Sequence, residues 1–146
     1  LGVYHKDLLT TFASVANKLS MEHALIVHGF DGLDEITITD STYIAELKNK
    51  EITHYEISPK DFGLSPANIS EISAQSADDS LLLVREAFAG EQSAVQDMIA
   101  LNAGAALYLA GTVSSIADGV ELSFTLMNNG MAADKLAAYV RISNNS

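Results

Sequence analysis

Apolar side chains recur at helical spacing near the start of the chain, at Leu8, Leu9, Phe12, Val15, Ala16 and Leu19, and predict an amphipathic helix over residues 5–19. Ala24, Leu25, Ile26 and Val27 then form a short continuous apolar run that ends in His28 and Gly29. Such a run suits a strand buried on both faces, as in a parallel sheet flanked by helices. Gly29 and Gly32 bracket a turn, after which residues 35–39 alternate, Ile36 and Ile38 against Thr37 and Thr39, and predict a half-buried strand. Two further β-like stretches, residues 42–47 and 51–57, are joined by the polar turn Lys48, Asn49, Lys50 and predict a hairpin.

Ser58 and Pro59 close the strand-rich region, and the pattern beyond them is helical. Asp78 and Asp79 are expected to cap a helix through Leu83 and Ala87 to Phe88, closed by Gly90. Ser93 is expected to cap the next, which runs to about Ala110 and stops at Gly111. Ala100, Ala103, Gly104, Ala105 and Ala106 would let a neighbouring backbone approach this helix closely. Ser115 to Asp118 reads as a capping box with Asp in the usual Glu place, opening a helix that ends at Asn129 and Gly130. A last helix is expected over residues 132–140, followed by a polar tail over 143–146. The order of helix, strands and consecutive helices defines an α/β domain with a small mixed sheet and flanking helices.

With 48% apolar residues in 146, nine glycines and two prolines, the chain is expected to form one α/β domain over 1–146 with no disordered linker. It shows no apolar stretch of membrane-spanning length and no basic-then-apolar leader, so no membrane partner is expected. Zero cysteines exclude disulfides, thiolate metal sites and thiol nucleophiles, and accord with a cytoplasmic setting. The charge changes the picture more. Nineteen acidic against eight basic residues give −11, a poor surface for nucleic acid. A phosphate-bearing small molecule would also be repelled unless a divalent cation or a basic segment offset the field. The same acidity also serves simply to keep a protein in solution. Leu1 opens the sequence without methionine, and the mean hydropathy of +0.17 is high for so acidic a domain. Together these suggest a piece of a larger protein.

The most informative local feature is the segment Val27-His28-Gly29-Phe30-Asp31-Gly32-Leu33-Asp34-Glu35, which follows a buried strand. Open α/β sheets commonly bind ligands beyond the carboxyl ends of their strands. Magnesium typically takes one or two carboxylates plus substrate phosphates, and Asp34 and Glu35, adjacent on a bend, are the candidate ligands. The same residues also fit a solvated acidic turn in which Asp31 favours the bend. His28, at the strand end, is either an acid–base group or a ring satisfying a backbone group. His5, His23 and His54 show no ligand spacing. Asp61-Phe62-Gly63 matches three letters of a kinase signature, but the rest of that set is missing and no G-x-S-x-G elbow is present.

Several segments in order resemble the anthranilate phosphoribosyltransferase family. Gly2-Val3-Tyr4 resembles its G-V-Y, and the 27–36 segment resembles its V-H-G-x-D-G-L-D-E. Glu46-Leu47, Tyr55 and residues 59–64 resemble the E-L, Y and P-x-D-F-G-L that follow, and residues 101–111 resemble L-N-A-x-A-A-L-Y-x-A-G. Gly119-Val120 and Gly130-Met131-Ala132 continue the order.

The resemblance implies the carboxy-terminal part of a nucleoside phosphorylase/phosphoribosyltransferase-type α/β domain. It implies an enzyme of tryptophan biosynthesis that transfers phosphoribosyl from phosphoribosyl pyrophosphate to anthranilate. Asp34 and Glu35 would help hold Mg2+ on the pyrophosphate, and no further catalytic or cofactor-binding residue carries over. The family's G-T-G-G-D loop, N-x-S, K-H-G-N and anthranilate-contacting arginine have no counterpart in these residues. Nor does its amino-terminal helical domain, the usual homodimer interface. Asp78-Asp79-Ser80 also departs from the family's E-N-A. These 146 residues alone are therefore expected to be inactive. Two alternatives stand beside this one: part of a pyrimidine nucleoside phosphorylase, and a non-catalytic interaction module.

Overall fold

The computed structural model describes residues 1–144, so the last two positions of the expected polar tail lie outside the described residues. Three strands, β1 (His23–Gly29), β2 (Thr42–Lys48) and β3 (Glu51–Ile57), form an antiparallel sheet in the order β1-β2-β3. The chain's first residues lie along the other edge of β1 in the parallel sense: Val3 N–H donates to the Val27 carbonyl (3.0 Å) and Val27 N–H to that of Leu1 (2.9 Å). Both pairing senses thus meet on β1, and the small mixed sheet is as expected. The apolar run is a two-face-buried strand, but its full-length partner β2 is antiparallel.

The two sheet faces have different covers. Helix α1 (Leu8–Lys18) lies on one, where Leu9 and Ala13 pack with Ile26 and Ala45. The helical half covers the other: α2 (Ile69–Ile72), α3 (Ala77–Phe88), α4 (Ala94–Leu109), α5 (Ile116–Asn128) and α6 (Met131–Ser143). There Leu25, Val27 and Ile44 meet Leu101, Ala105 and Val120 in the main core. Among the described residues no helix is long and apolar enough to cross a membrane.

Three local expectations need correction. Ser76, not Asp78 or Asp79, caps α3, its hydroxyl accepting from Asp79 N–H at 3.1 Å; the two acids occupy the first turn. The last helix runs on through Ser143, which the polar composition concealed. Residues 35–39 are not a strand. Ser93 and Ser115 cap α4 and α5 as expected, and the hairpin turn places Asn49 and Lys50 at positive φ, the geometry that matches strand twist. The kinase-like triplet is a turn device. Asp61 accepts from Ser58 N–H at 2.6 Å to cap a 3₁₀ turn over Pro59–Phe62, and Gly63 closes it.

Helices α4 and α5 touch backbone to backbone. A Cβ on Gly119 would sit 2.3 Å from the Gly104 carbonyl oxygen, and one on Gly104 would sit 2.6 Å from the Val120 nitrogen. Neither backbone can yield without separating two helices that carry the core. Gly119→Ala should therefore cost about 3 kcal/mol of stability, read as a lower denaturation midpoint; an unchanged midpoint would show that the helices separate freely.

Candidate metal-binding loop

The segment between β1 and β2 is held from behind by side chains rather than by a strand partner. Asn102, on α4, uses both ends of its amide on Ile36: Ile36 N–H donates to Oδ1 (3.0 Å) and Nδ2 donates to the Ile36 carbonyl (2.8 Å). The same Nδ2 reaches the Met98 carbonyl at 3.0 Å. Thr37 N–H donates to the Thr42 hydroxyl (3.1 Å), and the Ile38 carbonyl accepts from Ala67 N–H (3.1 Å). Ile36, Thr37 and Ile38 are consequently all buried in succession. Alternation failed as a guide here because the backbone found partners in three places, none of them a ladder.

The three carboxylates divide into two kinds. Asp31 faces into the loop, accepting Leu33 N–H (3.0 Å) and the hydroxyls of Thr37 and Thr39. Burial opposes its charge, but these hydrogen bonds outweigh that effect and hold its carboxyl below the ordinary aspartate value. Asp31 is thus the turn-former that its position beside glycine suggests. Asp34 and Glu35 are exposed, and among the described residues their carboxylates make neither a hydrogen bond nor an ion pair. The backbone of Asp34 is closely seated: a Cβ on Gly2 would lie 1.5 Å from the Asp34 carbonyl oxygen, so only glycine fits beneath it.

His28 does not join the acids. Its Nδ1 lies 2.8 Å from the Val3 carbonyl and so donates to it, tying β1 to the leading segment. Phe30 stacks on Tyr43 at 3.9 Å between ring centres, with Lys6 Nζ 5.2 Å from the Tyr43 ring. Among the described residues no group of three or more His, Asp or Glu side chains forms a metal cage. Two hard, unpaired oxygen donors still fit magnesium, which keeps waters and completes its shell with substrate phosphates. A separate cleft of 570 Å³ lies by the start of α4 and includes neither acid; burial raises the pKa of Asp97 there.

A second cluster of titratable groups escaped the sequence reading. Glu46 of β2 is buried and accepts from His23 Nε2 (2.7 Å), Tyr108 Oη (2.8 Å) and Tyr55 Oη (2.8 Å). Lys48 Nζ donates to Tyr108 Oη at 2.9 Å. Burial disfavours the Glu46 carboxylate, yet the three hydrogen bonds win and keep its pKa below the ordinary glutamate value. Burial first, then the Glu46 hydrogen bond, pushes the Tyr55 hydroxyl far above the usual tyrosine range. Glu46, Tyr55 and Tyr108 each fall in a family-like segment, but nothing in the sequence joins them, because the glutamate's partners lie on three other elements.

Sheet, helices and loop together define the class. The chain belongs to the glycosyl transferase family, a/b domain, whose pattern matches residues 1–133. Within that family it is similar to anthranilate phosphoribosyltransferases. It is 43% identical over 141 residues to that of Vesicomyosocius okutanii, covering 97% of this chain and 42% of the relative. It is 42% identical over 144 residues to that of Nitrosomonas eutropha, covering 99% and 42%. The Thermus thermophilus enzyme superposes with a TM-score of 0.87 at 29% identity, over 97% of this chain and 41% of that one. The Saccharomyces cerevisiae enzyme solved with PRPP and Mg shares the fold, with a TM-score of 0.87 at 21% identity over 100% of this chain and 42% of that one. The chain thus spans about 42% of the length of these curated relatives.

The loop clamp and the buried glutamate can each be tested. Asn102→Asp keeps the shape but cannot donate to Ile36 and Met98, and should cost about 2 kcal/mol at neutral pH, with faster amide exchange at Ile36; an unperturbed Ile36 amide would sink the clamp. The second test concerns acid. Glu46 has a lower pKa folded than unfolded, so the unfolded chain takes up protons first and stability is lost as pH falls through the folded value. Glu46→Gln should be less stable at neutral pH yet show a shallower loss below the ordinary glutamate range, in denaturation midpoints measured against pH. Parallel profiles for the two proteins would exclude the network as the source of acid sensitivity.

Proposed function

We propose that this chain supplies the magnesium-holding acidic pair of an anthranilate phosphoribosyltransferase, with Asp34 and Glu35 as the ligands. The observation that carries the reading is the loop itself: braced from behind by Asn102, Thr42 and Gly2, it presents these two carboxylates to solvent with no partner of their own. The relatives' names support the reaction, and the yeast structure with PRPP and Mg supports the metal and one substrate. The complete enzyme then takes phosphoribosyl pyrophosphate and anthranilate. These 146 residues span about 42% of the relatives' length and contain no glycine-rich phosphate loop, so they are assigned the metal-holding pair and not turnover by themselves.

Magnesium, when bound, neutralises the charge that gathers on pyrophosphate as the bond to the ribosyl carbon breaks. Asp34 and Glu35 contribute oxygen ligands and the negative charge that holds the cation. The other residues set their position before substrate arrives. Asp31, spent on its three loop donors, shapes the bend and adds no ligand. Asn102 and Gly2 fix the backbone on either side of the pair, so no reorganisation is needed at the moment of reaction. His28, committed to Val3, transfers no proton in this scheme.

In the complete enzyme, Asp34→Asn combined with Glu35→Gln should lower magnesium-dependent turnover on the order of a hundredfold or more. Circular dichroism should stay unchanged, because neither side chain supports the fold. A rate curve that matches the parent across a magnesium titration would refute the assignment.

A further inference from the structure

We propose that the cleft beside the start of α4 binds a free α-amino acid with an apolar side chain, its carboxylate at the helix N-terminus and its ammonium between Asp97 and Gln96. The decisive group is Gln96, which is 1% exposed. Its Nε2 donates to the Ala87 carbonyl and to Asn128 Oδ1, both at 3.2 Å. Both partners are acceptors, which fixes the orientation of the amide. Its Oε1 accepts nothing among the described residues. No fully buried side-chain oxygen or nitrogen among them lacks a partner, so this oxygen opens to the cleft that Gln96 lines. An acceptor so placed is reached only by a donor small enough to enter.

Two further demands at the same helix end are unmet. The N–H groups of Ala94 and Val95, in the first turn of α4, donate to nothing among the described residues, whereas those of Gln96 and Asp97 are taken by Ser93. They carry the partial positive charge of the helix end. Asp97 is half-buried with no hydrogen bond or ion pair among the described residues, and burial alone acts on its carboxyl, raising its pKa. It stands three residues after Ala94, on the same helix face, and side chains on a helix lean toward its N-terminus. Glu71, the other acid on the cleft, is already held by Asn68 at 2.7 and 3.0 Å. Positive and negative demands thus meet within one turn, and that pairing selects the ligand. A plain amine would face the helix dipole, and a plain anion would face Asp97 on a molecule of net charge −11. An α-amino acid carries both charges a short distance apart. Leu64 and Phe124, packed on the main core, give its side chain an apolar wall in a cleft of 570 Å³. Neither Asp34 nor Glu35 lines it, so the site stands whether or not the proposed activity does.

The test is a titration of the isotope-labelled 146-residue chain followed by NMR. The probe is L-phenylalanine, beside phenethylamine, which lacks the carboxylate, and hydrocinnamate, which lacks the ammonium. L-phenylalanine should move the Ala94 and Val95 amide resonances with a Kd of about 1 mM, and each half-ligand should bind on the order of tenfold more weakly. Asp97→Asn should lose roughly the same factor for L-phenylalanine. Its affinity for hydrocinnamate should not fall, and its circular dichroism spectrum should match the parent's. Equilibrium dialysis of the complete enzyme with labelled L-phenylalanine should give the same affinity and the same loss in Asp97→Asn. The proposal is overturned by no saturable shift up to about 10 mM, by hydrocinnamate binding as tightly as L-phenylalanine, or by parent affinity in Asp97→Asn. Binding by the 146-residue chain that the complete enzyme lacks would also overturn it, because the rest of the protein then fills the cleft.

Discussion

The amide of Asn102 is the contact on which the arrangement of the loop depends. A side-chain amide carries a donor and an acceptor in the same plane, as a peptide does, so it can satisfy one residue's N–H and C=O together. Here it does so for Ile36, and it draws the segment after Glu35 onto the helix that also carries the main core. Without such a partner, burying Ile36 would strand two backbone groups at roughly 1–3 kcal/mol each. With it, Ile36 and Ile38 can enter the core although no strand runs alongside. The clamp therefore turns a connection that would ordinarily be mobile into a fixed platform.

On that platform the chain separates structural charge from available charge. Asp31 collects three donors, and its depressed pKa reflects hydrogen bonding that overcomes burial. Asp34 and Glu35, three and four residues later, receive none. The difference is one of facing. Asp31 follows the turn at Gly29 and points back toward Thr37 and Thr39, whereas the peptide of Asp34 is pressed against Gly2. A cation met by such a pair needs no side chain to be released from another partner first. In a chain of net charge −11, that same pair would repel a pyrophosphate presented without its metal.

Much of this was legible in the residues, wherever cause and effect lie close in sequence. The hairpin follows from two alternating runs and a polar turn; the α4 and α5 caps follow from a serine placed before each helical run. The glycine and alanine content of α4 announced a close backbone approach, and the structure identifies α5 as the partner. The acidic pair could be named, but its availability could not, because that rests on what Asn102, Thr42 and Gly2 do to the backbone around it. Misreadings share the same origin. Residues 35–39 alternate like a strand, yet their backbone partners come from residues as far away as Asn102. Ser76 took the cap from Asp78 because the helix starts at Ala77, one residue before the acids become prominent. Composition likewise hid the end of α6, a helix none of whose side chains is fully buried.

The buried glutamate explains why the two ends of the loop stay in place. Glu46 stands opposite Leu25 on β1 and Thr53 on β3, and its carboxylate is met by groups from β1, β3 and α4. A one-residue slip of β2 would turn it to the α1 side, among Leu9, Ala13 and Ile26, where no donor waits. Breaking a buried charged network in this way costs roughly 3–5 kcal/mol, which a hairpin with an apolar residue at that position would not lose. The register so fixed pairs Gly29 with Thr42, the last residue before the loop with the first residue after it. Thr42 then stands where its hydroxyl can accept Thr37 N–H, and the loop closes on Asn102. A glutamate outside the loop thus helps to set, through strand register, where the segment that Asn102 clamps begins and ends.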